Sequence, residues 1–153
     1  MYIAQFNISI EKVSLDNPAM KDFVESLGPV NESADASEGF VWRLHDESGN
    51  ATAMRVYEDK RIIFNLSVWE SIESLRKFVY QRSHMSVLRR RTDWFETQSK
   101  PSYVLWWIAE DHRPSVEEAK ARLLHLQNNG PTPFAFTFQQ AFGPVRSEKV
   151  IVT

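Results

Sequence analysis

The sequence predicts a single α+β domain on the ferredoxin-like split βαββαβ plan, and three observations carry that prediction. Alternating apolar and polar residues recur over 2–10, 40–45 and 61–69, as they do in half-buried strands. Between and after these stretches, apolar residues recur three and four apart, the spacing of an amphipathic helix. A further stretch, 103–109, is apolar on both sides, as in a strand covered on both faces. The resulting order is strand, helix, strand, strand, helix, strand. With 153 residues the chain can build one such core but not two.

In the first strand Tyr2, Ala4, Phe6 and Ile8 lie on one face, with Ile3, Gln5 and Asn7 on the other. Asp16 or Asn17 ahead of Pro18 starts a helix, since proline loses nothing at a first helical position. Met20, Phe23, Val24, Leu27 and Val30 form its apolar stripe, and Gly28-Pro29 is expected to break or kink it before 30–36 resumes. Gly39 opens the second strand, in which Phe40, Trp42 and Leu44 alternate against Val41, Arg43 and His45. Residues 46–49 read as a turn and 51–57 as a short strand or extended arm. In the third strand Ile62, Phe64, Leu66 and Val68 oppose Ile63, Asn65, Ser67 and Trp69. Ser71 caps the next helix, whose apolar side is Ile72, Leu75, Phe78 and Val79. A break near 81–83 lets Ser83 cap a second piece running to about Phe95, with His84, Val87, Leu88, Arg91, Trp94 and Phe95 on one face. After the strand at 103–109, Asp111-His112-Arg113-Pro114 leads into a helix over 115–128 that Gly130-Pro131 closes. The aromatic residues Phe134, Phe136, Phe138 and Phe142 mark a last strand or a packed arm, which bounds the domain at 1–143 and leaves 144–153 as a tail.

Composition narrows the function classes. A net charge of -2 and a pI near 6.1 give no electrostatic reason to expect nucleic acid as a partner. The absence of cysteine removes disulfides, thiolate catalysis and thiolate metal sites. No apolar run approaches the roughly 20 residues that span a membrane, and the first residues show no signal-peptide pattern, so cytoplasm is the expected location. Four histidines without HxH or HExxH spacing predict no metal site. Neither a GxSxG elbow, a GxGxxG turn nor a P-loop is present.

One sheet face, carrying Gln5, Asn7, Arg43, Asn65 and Ser67 among Ile3, Val41 and Ile63, is too polar for a dry core. With helices on one face only, this mixed face would pack against its copy and enclose a partly polar cavity, which predicts a homodimer binding a small molecule. His84 and Arg91 are the candidate catalytic pair, an imidazole for acid/base work and a guanidinium for a carboxylate or oxyanion. The bland reading makes His84 a hydrogen-bonded structural group, with Arg89 and Arg90 on a solvated face. Asn65 and Ser67 are the polar pair expected to touch a ligand, and Trp69, Trp94 and Trp107 its apolar walls, although at least three of the five tryptophans are better read as core or dimer interface. His112 and Arg113 precede a helix start, where an anion would be favoured, yet their spacing is also that of an ordinary turn.

Several stretches resemble one family, domain of unknown function 3291. They are 40–44 (FVWRL), 65–71 (NLSVWES), 78–80 with 83–84, 88–91 with Trp94-Phe95, and 105–107 with 112–114. The resemblance spans most of the chain and implies the dimeric α+β barrel fold shared with antibiotic-biosynthesis-type monooxygenases and chlorite dismutases. It implies no established activity. A run from Trp69 through His84 to Trp94-Phe95 is also similar to a segment of spheroidene monooxygenase, a haem-dependent carotenoid oxygenase. The function expected is therefore small-molecule binding, with monooxygenase-like oxidation of an apolar or aromatic substrate. The cofactor is none or, in the alternative, haem held by His84. A non-catalytic ligand-binding or structural homodimer is the competing class.

Overall fold

The computed structural model of the chain describes residues 1–45 and 54–144. Four strands form one sheet: β1 (Tyr2–Ile10), β2 (Phe40–Arg43), β3 (Ile62–Trp69) and β4 (Tyr103–Ile108). Their order is β2-β3-β1-β4 and each neighbouring pair is antiparallel. Helix α1 (Lys21–Asp35) joins β1 to β2, and α2 (Ile72–Val79), α3 (Arg82–Arg89) and α4 (Arg91–Trp94) lie between β3 and β4. Helix α5 (Val116–Asn129) follows β4. This is the predicted α+β plan.

Local chemistry explains most boundaries. Asn17 accepts a hydrogen bond from the Ala19 N–H and starts a short 3-10 turn over Pro18–Met20. Pro29 sits inside α1 without ending it, because the helix is held by Phe23 and Ala34, buried on either side of the proline. Ser71 and Ser74 form a reciprocal capping box at the start of α2. Ser115 caps α5, and Gly130, at φ +75°, supplies the left-handed residue that ends it. The turn expected over 46–49 lies outside the described residues, as does the first part of the arm over 51–57. Met54, Val56 and Tyr57 form no strand, yet pack on the core.

The two sheet faces are both covered by this chain, which corrects the expectation of helices on one face. Ala4, Phe6, Leu66, Val68, Val104 and Trp106 are fully buried beneath Ala119, Leu123 and Leu126 of α5, with Met54, Val56 and Tyr57 alongside. On the other face Ile3, Trp69 and Leu105 pack with Ala34 of α1, Leu75 of α2 and Phe136. Ile63 on that face meets Phe23 of α1 and Trp94 of α4. Helices α1 to α4 thus lie over the mixed face, while Gln5, Asn7 and Asn65 on it stay half-buried.

Two further departures are local. A register shift between Phe40 and Trp42 breaks the alternation of β2. Phe40 packs on Trp69, while Val41, Trp42 and Leu44 join the core under α5. The C-terminal aromatic stretch is a packed arm: Phe136 exchanges both backbone hydrogen bonds with Leu105 on the outer edge of β4, at 2.8 and 3.0 Å. Among the described residues no helix is long and apolar enough to cross a membrane.

Candidate functional site

Between the mixed sheet face and its helical roof lies a cavity of about 1030 Å³. The floor is built from odd-numbered residues of the two central strands, Gln5 and Asn7 of β1 with Asn65, Ser67 and Trp69 of β3. Strand alternation places them together, since every second side chain points to the same side. Phe23 and Leu27 of α1, Phe78 of α2 and Val87 of α3 supply apolar walls. Exposed Tyr80, Arg89, Arg91 and Thr92 mark the mouth.

A directed chain of hydrogen bonds crosses the floor. The buried Trp69 indole N–H donates to Ser67 Oγ at 3.0 Å, and Ser67 donates to Gln5 Oε1 at 2.8 Å. Gln5 Nε2 in turn donates to Asn7 Oδ1 at 2.6 Å. An indole N–H can only donate, so the chain has a fixed first member and runs outward from it. Asn7 is left with its amide N–H groups to offer. Its cross-strand neighbour is Asn65, whose side chain makes no hydrogen bond among the described residues. Two carboxamides therefore meet in the middle of the floor with donors to spare. Trp69 itself is clamped, stacked on Phe78 at 5.2 Å and edge-on to Phe40 at 5.3 Å.

The structure divides the sequence candidates. Asn65, Ser67, Trp69 and Arg91 line the cavity. His84 has its backbone in α3, and its side chain lies outside the described residues. Trp94 is only 2% exposed, packed on Phe23 at 5.4 Å and outside the lining. Trp107 is likewise outside it, because the C-terminal arm covers the residue and its indole donates to the Phe142 carbonyl at 2.7 Å. His112 and Arg113 are not at the cavity mouth. His112 Nε2 lies 2.6 Å from Glu118 Oε1, and the other Glu118 oxygen accepts from the Trp106 indole at 2.9 Å, which ties this turn to α5 on the far face. Arg113 donates to the carbonyls of Glu110 and His112 and so closes its own turn.

Sequence reasoning placed Gln5 and Asn7 on the right face but assigned that face to a second copy. It set Arg89 aside as solvated, although Arg89 also lines the cavity. The usable signal was shared parity in β1 and β3, which puts four polar side chains on one floor.

The shifted arginines lie outside the lining. Hydrogen bonds that Arg90 donates to Asp22 and to Asp93 raise its guanidinium above its ordinary value. Similarly, Asp59 raises Arg61, which also holds Glu96 at 2.8 Å. Among the described residues no group of His, Cys, Asp and Glu could hold a metal ion. A haem would need an imidazole aimed into the cavity. His45 is exposed, His112 is held by Glu118 and His125 lies 3.2 Å from the Thr132 hydroxyl, and none of them lines the cavity. The haem alternative rests on His84, whose side chain lies outside the described residues.

The family described as "Domain of unknown function (DUF3291)" matches residues 2–151. No curated protein matches the sequence. Among solved structures, a conserved protein from Methanosarcina mazei Go1 superposes with a TM-score of 0.54 at 11% identity, over 71% of this chain and 94% of that one. Rv0793 from Mycobacterium tuberculosis gives 0.51 at 10% identity, over 74% and 100%. SnoaB, described as a cofactor-independent oxygenase from Streptomyces nogalater, gives 0.50 at 12% identity, over 74% and 98%. Such low identities establish a shared α+β fold alone.

Proposed function

Because this chain belongs to the family described as domain of unknown function 3291, we propose a function from its cavity: it binds a planar hydroxylated aromatic as the anion and oxidises it as a monooxygenase-like enzyme. The observation that carries this reading is the chain from Trp69 through Ser67 and Gln5 to Asn7, ending beside the unengaged amide of Asn65. Fixed N–H donors in an apolar enclosure stabilise an oxyanion better than water does, because they need no reorganisation when the charge forms. Phe23, Phe78 and Phe95 offer flat surfaces for an aromatic body. The one carboxylate in the described lining, Glu96, is already paired with Arg61. The described lining thus supplies donors rather than a carboxylate base, and suits a ligand acidic enough to ionise against them.

The fold shared with SnoaB, described as a cofactor-independent oxygenase, supports oxygen chemistry. A phenol with a free para position reacts with O2 to give a quinone and water. The substrate supplies all the electrons, and one oxygen atom enters each product. The chain's residues would orient the phenolate and keep water from the reacting ring. A homodimer belongs to the same proposal. A binding protein without turnover is the second reading, favoured by the lack of a free base in the described lining.

Thermal melting with 1-naphthol, paired with an oxygen electrode, tests both readings. A saturating ligand should raise the midpoint by about 5 °C. Asn65→Ala should weaken binding by about tenfold, and oxygen uptake should yield 1,4-naphthoquinone. Stabilisation without uptake would leave the binding protein. Hydroxylated aromatics that shift the midpoint of neither the native chain nor the variant would remove the cavity reading altogether.

A further inference from the structure

Of the three consecutive arginines Arg89, Arg90 and Arg91, the first and third fall at the cavity mouth and the second does not. Residues two apart on a continuous helix point to opposite sides. Here α3 ends at Arg89 and α4 begins at Arg91, with Arg90 between them at φ -99° and ψ 6°. That break lets Arg89 and Arg91 both line the cavity. Arg90 is directed elsewhere, with its guanidinium 2.7 Å from Asp22, 3.0 Å from Asp93 and 4.7 Å from the centre of the Trp94 ring.

The other charges of the lining are already matched. Arg43 is paired with Asp35 at 2.8 Å and Glu96 with Arg61 at 2.8 Å. Among the described residues, Arg89 and Arg91 therefore stand at the mouth with no carboxylate to neutralise them. The floor, by contrast, offers only neutral amides and a hydroxyl. The cavity is polarised, with uncharged donors at its base and cationic forks at its entrance.

We infer that Arg89 and Arg91 bind a carboxylate carried by the ligand at the end opposite its phenolic oxygen, so that the ligand class is a hydroxyaromatic acid. This rests on the cavity reading above and adds the second functional group. Guanidinium forks match carboxylate geometry and are less strongly hydrated than ammonium groups, which suits them to capture an acid at a solvent boundary. Entry is then oriented: the apolar ring passes inward to the amides while the acid stays at the rim.

Calorimetric titration of the full chain with 2-naphthol and with 6-hydroxy-2-naphthoic acid separates this inference from the reading beneath it. At low ionic strength the acid should bind about tenfold more tightly, with the advantage shrinking in high salt. In Arg89→Gln/Arg91→Gln the affinity ratio should fall toward one, whereas Arg113→Gln, on the far face, should retain it. Equal binding of the two probes, or a ratio that survives in the double variant, would overturn the assignment and leave the cavity reading intact. Failure of both probes to bind would overturn the two together.

Discussion

Single side chains fix what the cavity can do. Trp69 sets the sense of the floor's hydrogen bonds, because its N–H has one possible role, and so Ser67 and Gln5 relay donors toward Asn7. Glu11 is the residue where burial runs against charge. It is 7% exposed, Oε2 has no hydrogen-bond partner, and desolvation raises its pKa above the ordinary 4.5 against the opposing pull of Arg55. A carboxyl whose pKa is raised on folding supports stability below the unfolded value, and that support is lost as pH rises through the folded one. Glu11→Gln should therefore melt at a higher temperature than the native chain at pH 7, with the gap closing near pH 4. Equal gaps at both pH values would show that the carboxyl is not the cause. Asn65 and Ser67 were legible from strand parity alone, because alternation puts them on the polar face whatever covers it. His112 and Arg113 were not, since their engagement by Glu118 and by backbone carbonyls depends on how α5 docks.

Elements were easier to read than their continuity. The expected strands match β1 to β4 to within a residue or two, because alternation and burial agree along each. The helical face drawn from His84 to Phe95 does not survive as one surface. The chain breaks at Arg90, where Asp22 of α1 and Asp93 hold the side chain and the indole of Trp94 backs it. A partner from another helix decides that break, and periodicity within the segment carries no trace of it. Pro29 is the converse, a local breaker overruled by packing on both sides of it. The link from α1 into β2 has a stricter requirement. Gly39 has φ +84°, and a Cβ there would fall on the Ser74 side chain of the α2 capping box. Gly39→Ala should destabilise the protein by about 2 kcal/mol or more, read as a lowered midpoint in chemical denaturation. An unchanged midpoint would mean that the α2 cap moves aside at no cost.

The whole molecule is organised by coverage. Helix α5 with Met54, Val56 and Tyr57 closes one sheet face, and α1 to α4 with the C-terminal arm close the other. Phe136 anchors that arm, fully buried against Ile3, Trp69 and Leu105 and hydrogen-bonded along the outer edge of β4. Phe136→Ala should cost about 3 to 5 kcal/mol, seen as a large loss of melting temperature together with dye binding to the exposed apolar edge. A small loss would mean that the arm is ornamental to the fold. The mixed face was predicted to need a second copy because composition shows only that a polar face must be hidden, and the sequence does not say by what. Floor and walls of the chamber come from strands and helices far apart in the sequence, so a change in how any one helix docks alters what the chamber admits.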